Sequence, residues 1–162
     1  MREIDRDGRI LCEMQGKLFE KSIERYGTSS AVFVRRYMNS KYAARMDRRG
    51  SLDRPTDAED AFNALDEQYG ESTYGTELYS PDELFWIGYI YRYWAYTYEI
   101  SSKAIYREFS VRDLHKVYYA YHTLDPESAI QRLLEARNKP ISDEQQLAAA
   151  VEILRRIRLA RQ

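Results

Sequence analysis

The sequence predicts an all-α protein: a single helical domain over residues 1–162, with seven or eight helices bundled around a central aromatic helix at about 81–99. Three observations lead there. Serine, threonine or aspartate recurs just ahead of acid-bearing, apolar-periodic stretches, as helix starts require, and glycine or proline recurs at their ends. One stretch, from Leu84 to Tyr98, is apolar on almost every side. No segment reads as a strand, and there is neither an internal repeat nor a low-complexity linker.

The elements follow in order. A first helix is expected over residues 9–26, stopped by Gly27, with Ile10, Met14, Leu18, Phe19 and Ile23 as its buried stripe. Thr28, Ser29 or Ser30 caps a second, running to about residue 48 and closed by Gly50, with Val32, Phe33, Tyr37 and Ala44 inward. Beyond Pro55, Thr56-Asp57-Ala58-Glu59 matches a capping box, in which hydroxyl and carboxylate satisfy each other's backbone donors; the helix it opens ends at Gly70. At Ser80-Pro81-Asp82-Glu83 a capping serine, a first-turn proline and acids at the positive end of the helix dipole coincide. Projected at the helical period, the following residues leave a narrow stripe of Gly88, Arg92, Ala95 and Glu99 among aromatic and aliphatic side chains. Gly88 and Ala95 permit close packing or leave a shallow groove, and Arg92 requires a carboxylate or solvent, because an unpaired buried charge is costly. Ser101 or Ser102 restarts a short helix to Phe109, Ser110-Val111-Arg112-Asp113 opens one to Tyr121, and Asp125-Pro126-Glu127 opens one ending near Asn138. Ser142-Asp143-Glu144-Gln145 opens a terminal helix with Leu147, Val151, Leu154 and Ile157 on one face and arginines 155, 156, 158 and 161 toward its negative end.

Composition narrows the function classes. A chain of 162 residues buries a core without disulfides or a structural metal. Cys12 stands alone, and residues 1–7 carry no apolar run of a secretory signal, so the expected location is the reducing cytosol. The longest apolar stretch is interrupted by Arg92 and is too short to span a bilayer. Net charge is −1, yet residues 35–54 hold seven bases against two acids and residues 56–83 hold nine acids and no base. These stretches either face each other and solvent, or one of them is a docking face. Fifteen tyrosines suit both interfaces and core rims, because each joins a large apolar body to a polar tip.

Catalytic chemistry is poorly supplied. His115 and His122 lack metal-ligand spacing, and no phosphate-binding loop, dinucleotide fingerprint or nucleophile elbow is present. The residues therefore predict no enzyme, no catalytic residue, no cofactor and no metal site. Residues 91–109 loosely match a helix-turn-helix, with Ala95 in the small position, Ile100 in the turn and Ile105 facing the core; Ser101, Ser102, Lys103 and Arg107 would then begin or line the recognition helix. Against that register, Glu99 stands where glycine is usual and Glu108 where an apolar residue is expected. A protein-binding module is the other reading, resting on the tyrosine-rich helix together with Tyr118, Tyr119, Tyr121 and His122.

Three stretches also carry a family resemblance. They are Val34-Arg35-Arg36-Tyr37-Met38 with Arg45-Met46-Asp47; Phe85-Trp86-Ile87-Gly88-Tyr89-Ile90-Tyr91-Arg92-Tyr93-Trp94-Ala95-Tyr96-Thr97; and Tyr121-His122-Thr123-Leu124-Asp125-Pro126 with Ala129-Ile130. Together they resemble a group of small bacterial helical proteins associated with toxin-antitoxin gene pairs, often beside ADP-ribosyltransferase-like toxins. The resemblance implies an antitoxin that binds and blocks a cognate toxin, and transfers no catalytic residue. On that reading the interface residues are Arg92, Tyr96, Tyr119, Tyr121 and His122, with Arg35 and Arg36 as a second patch; a DNA-binding regulator using residues 91–109 is the alternative.

Overall fold

The computed structural model describes residues 1–48, 57–138 and 143–160. Among them are nine helices and no strand: α1 (Arg6–Arg25), α2 (Ser30–Met38), α3 (Lys41–Asp47), α4 (Ala58–Tyr69), α5 (Pro81–Tyr98), α6 (Ser102–Glu108), α7 (Val111–Tyr121), α8 (Pro126–Asn138) and α9 (Asp143–Ala160). The chain packs as two compact units, Met1–Pro126 and Glu127–Gln162. Gly50, Pro55, Thr56 and Ser142, and the side chain of Leu147, lie outside the described residues.

Most helix starts fall where side-chain acceptors were expected. Ser29, Ser80 and Ser101 each accept a first-turn N–H, from Val32, Glu83 and Ala104 respectively, and at α4 Asp57 accepts from Asp60 where Thr56 with Glu59 was expected to cap. Pro81 occupies the first turn of α5. At α7 the Asp113 carboxylate accepts from the Ser110 backbone N–H at 3.0 Å. Two boundaries differ. α1 begins earlier, because the Asp5 carboxylate accepts from Gly8 N–H at 2.8 Å. The expected long second helix is broken at Asn39, whose side-chain amide donates to the Arg35 carbonyl at 2.8 Å, and Ser40 then caps a fresh start. The break re-phases the next turn, so Ala43 is buried and Ala44 is exposed.

In the first unit α1 lies along α5, and that pairing explains a second correction. The buried side of α1 is Gly8, Leu11, Cys12, Gln15, Gly16, Leu18, Phe19 and Ser22, whereas Ile10 is 38% exposed. α1 thus turns its small residues toward α5. A Cβ on Gly16 would lie 2.9 Å from the Phe85 ring, and one on Gly88 only 2.7 Å from the Gln15 carbonyl oxygen. The stripe of α5 that interrupts its apolar surface is accordingly enclosed: Gly88, Arg92 and Ala95 are buried, while Phe85, Tyr89, Tyr93 and Tyr96 are half-exposed.

The residue interiors of α1, α2 and α4 meet in an aromatic cluster. Phe19 packs edge-on to Phe33 at 5.3 Å and to Tyr37 at 5.0 Å, and Tyr26 packs edge-on to Phe62 at 5.5 Å. Edge-to-face geometry of this kind adds about 0.5–1.5 kcal/mol per pair beyond area burial. In the second unit Ala129, Ile130 and Leu133 form the buried side of α8. Residues 151–160 of α9 are exposed throughout, including Val151, Leu154 and Ile157. No described helix is long and apolar enough to cross a membrane.

Candidate functional site

Arg92 is the most deeply placed of the expected interface residues, with 1% exposure. Its guanidinium donates to Asp47 Oδ1 at 2.7 Å and to Gln15 Oε1 at 2.9 Å. Gln15 also accepts from the Tyr37 hydroxyl at 3.0 Å and donates to the Gly88 carbonyl at 2.9 Å. Asp47 in turn accepts from the Ser102 hydroxyl at 2.6 Å and the Ser102 N–H at 2.8 Å. One polar network therefore joins α1, α2, α3, α5 and α6, and Arg92 belongs to it instead of to a docking face. Gln15 was not singled out in the sequence, and Asp47 entered only within the Arg45-Met46-Asp47 stretch. The visible signal for Asp47 was the demand of Arg92 for a carboxylate or solvent.

The same network bears on the helix-turn-helix residues. Ser102 is buried under Asp47, and Ser101 accepts from Ala104 N–H as the cap of a seven-residue helix. Lys103 and Arg107 alone among the four are exposed side chains with positive charge. The N-terminus of α6, which a DNA reader would aim at a groove, already holds a carboxylate of the chain itself.

Tyr96 is half-buried at the other side of α5. Its hydroxyl donates to Asp5 Oδ1 at 2.6 Å, and the Arg2 guanidinium lies 3.9 Å over its ring and bonds to its hydroxyl. The Tyr96 hydroxyl, followed by the Gly8 N–H, holds the Asp5 carboxyl below its ordinary value. These contacts tie the chain's first residues down over α1 and α5.

Tyr119 and His122 are exposed, Tyr119 by 87%. They stand beside Tyr118, whose ring is 5.5 Å from Tyr119, 4.8 Å from His122 and 5.6 Å from Trp86 on α5. His122 Nδ1 lies 2.9 Å from the Tyr118 carbonyl, closing the end of α7. Trp86 thus anchors a surface of contiguous rings that ends in solvent. Tyr121 is half-buried nearby in sequence. Sequence reasoning found Tyr119, Tyr121 and His122 here, and passed over Trp86 as core.

The second expected patch divides. Arg36 donates to the Gly70 carbonyl at 3.0 Å and stands over the Tyr69 ring, at the negative end of α4. Arg25 pairs with Asp66 at 2.6 Å. Part of the basic and acidic stretches is therefore engaged within the fold. Arg35 is exposed on the opposite side of α2's turn and lines an open groove with Arg112.

The remaining titratable groups are placed structurally. His115 stacks on Tyr79 with ring centroids 4.0 Å apart and bonds to Glu83. Cys12 is fully buried, and burial pushes its thiol up to about 12, which keeps it protonated and unreactive at neutral pH. Among the described residues no group of three histidine, cysteine or carboxylate side chains is arranged to hold a metal ion. No protein-family model, curated protein or solved structure matches the chain.

Proposed function

We infer that the protein is a protein-binding module, and that it acts as an antitoxin that captures and blocks a toxin partner in the cytosol without catalysis of its own. The observation that supports it is the surface ladder of rings from Trp86 through Tyr118 to Tyr119 and His122. Tyrosine and tryptophan supply large contact areas at low entropic cost, and they dominate binding energy where they cluster. A tyrosine left 87% exposed at the end of such a ladder contributes little to the fold, which favours a role outside it. The resemblance of residues 85–97 and 121–130 to antitoxin-like proteins supplies the nature of the partner.

The test is affinity capture of the tagged protein from its host lysate, with and without nuclease, followed by co-expression with the captured protein. Recovery of a neighbouring gene's product that resists nuclease, and relief of that product's toxicity, is the expected outcome. Tyr119→Ala and His122→Ala should each weaken the complex while leaving the fold intact, by about 2 kcal/mol, or roughly thirtyfold, if they are central to the interface. Unchanged binding in the double variant sinks the surface assignment. Nuclease-sensitive capture abolished by Lys103→Ala with Arg107→Ala would favour the DNA-binding alternative, which has less support because α6 is short and Ser102 is covered.

A further inference from the structure

A second surface lies at the opposite end of α7 from the ring ladder. Ser29, Ala31, Val32, Arg35, Tyr74, Tyr106, Ser110, Val111 and Arg112 enclose an open groove of 540 Å³ within the first unit. Two helices present their N-terminal turns to it: α2 through Ala31 and Val32, and α7 through Val111 and Arg112. First-turn amides have no carbonyl of their own helix to bind, and the helix dipole makes that end positive. In α2 the Ser30 N–H is already given to the Glu77 carbonyl and the Val32 N–H to Ser29 Oγ, which leaves the Ala31 N–H at the groove wall.

Two guanidiniums reinforce this polarity. Arg35 and Arg112 are exposed, and neither has an ion-pair partner among the described residues. Both reach the surroundings of Tyr106: burial pushes its hydroxyl up, while the Val111 backbone and then Arg35 and Arg112 draw it down. The opposing charges are Asp113, which the Ser110 N–H and hydroxyl bind at the cap of α7, and Glu77 in the loop that carries Tyr74. Tyr74 is 76% exposed and supplies an aromatic face at the rim.

We propose that this groove binds a small organic phosphate, with Arg35 and Arg112 clamping the phosphate, the α2 first turn donating to it, and Tyr74 and Tyr106 flanking a flat ring system. Guanidiniums bind phosphate oxygens in pairs and helix N-termini favour the same charge, so the groups that line this groove suit one compact anion. An acidic peptide would instead call for bases strung along an extended track. The occupied helix ends explain the choice of arginines: with Ser30 and Val32 amides spent, side-chain cations carry most of the recognition.

Calorimetric titration of the full chain with pyrophosphate, adenosine monophosphate and a polyglutamate peptide tests it. Both phosphates should bind, the nucleotide more tightly. Arg35→Ala and Arg112→Ala should each weaken both about tenfold, as expected for loss of one charged hydrogen-bonding group. Tyr74→Ala should weaken the nucleotide and leave pyrophosphate unchanged, and circular dichroism of each exposed-site variant reports that the fold persists. No binding of either phosphate by the folded parent chain overturns the proposal. So does phosphate binding that survives the Arg35/Arg112 double variant, or binding of the polyglutamate peptide alone, which would make the groove a dock for an acidic protein segment.

Discussion

Arg92 is the residue on which the first unit's interior turns, since its charge is enclosed and its partners come from three other helices. Removing one member of a buried pair strands the other, at a cost of about 3–5 kcal/mol, whereas exchanging both for apolar groups of similar volume is often tolerated. Asp47→Ala should therefore lower the urea midpoint more than Asp47→Leu combined with Arg92→Met, even though the double change removes more polar contacts. Equal losses would show that the pair is hydrated enough to lose a member freely; Asp47 keeps 14% side-chain exposure, so some relief of the single variant is built in. Cys12 offers a second residue-scale reading. With the thiol fully buried and held at about 12, a thiol reagent near neutral pH should label the native chain only at the rate of unfolding and label the urea-unfolded chain at once. Rapid native labelling would mean that α1 opens away from α5.

At the scale of the element, α1 and α5 owe their close approach to glycines that differ in what surrounds them. A methyl group on Gly88 runs into the backbone of α1, which cannot move without shifting the helix, whereas one on Gly16 meets the side chain of Phe85, which is half-exposed and can rotate away. Overpacking costs about 1–3 kcal/mol where nothing yields. Gly88→Ala should fall at or above the upper part of that range and Gly16→Ala well below it, as measured by chemical denaturation. The reverse order would place the tight contact elsewhere. α6 shows the other effect of neighbouring elements: its first N–H, on Ser102, is satisfied by Asp47 from α3, so a helix of seven residues is held at both the cap and the first turn.

Across the whole molecule, the abundance of buried phenols sets a pH limit. Burial raises the hydroxyls of Tyr26, Tyr37 and Tyr91 and the thiol of Cys12 above their ordinary values of 10.0 and 9.0. Tyr91 is fixed as a neutral donor, its hydroxyl 2.7 Å from the Phe109 carbonyl. In the unfolded chain each of these groups loses its proton at the ordinary value, while the folded chain retains it. Their stabilising contribution is then complete below about pH 9 and is lost progressively as pH rises toward the folded values. The unfolding free energy from chemical denaturation should stay level from about pH 7 to 9 and fall above about pH 10. An unfolding free energy that stays level above about pH 11 would show that these groups titrate alike in the folded and unfolded chains.

Most helix starts were legible in the sequence because capping is local: Ser80 and Glu83, and Ser110 and Asp113, lie three residues apart, and no distant part of the chain alters the need of a first-turn N–H for an acceptor. The described residues form nine helices where seven or eight were expected. The break at Asn39 escaped because its amide competes for a carbonyl that helical continuation would also use, a balance that periodicity does not register. Tyr119 and His122 were identified from composition, but Tyr118 and Trp86 become their support only when α7 packs against α5. The sequence alone determined that Arg92 needs a carboxylate or solvent. Which carboxylate answers, which face of α1 turns inward, and that Arg35 and Arg112 share one groove were decided by tertiary packing, because those pairings join residues tens of positions apart and depend on how closely glycine lets two helix backbones approach.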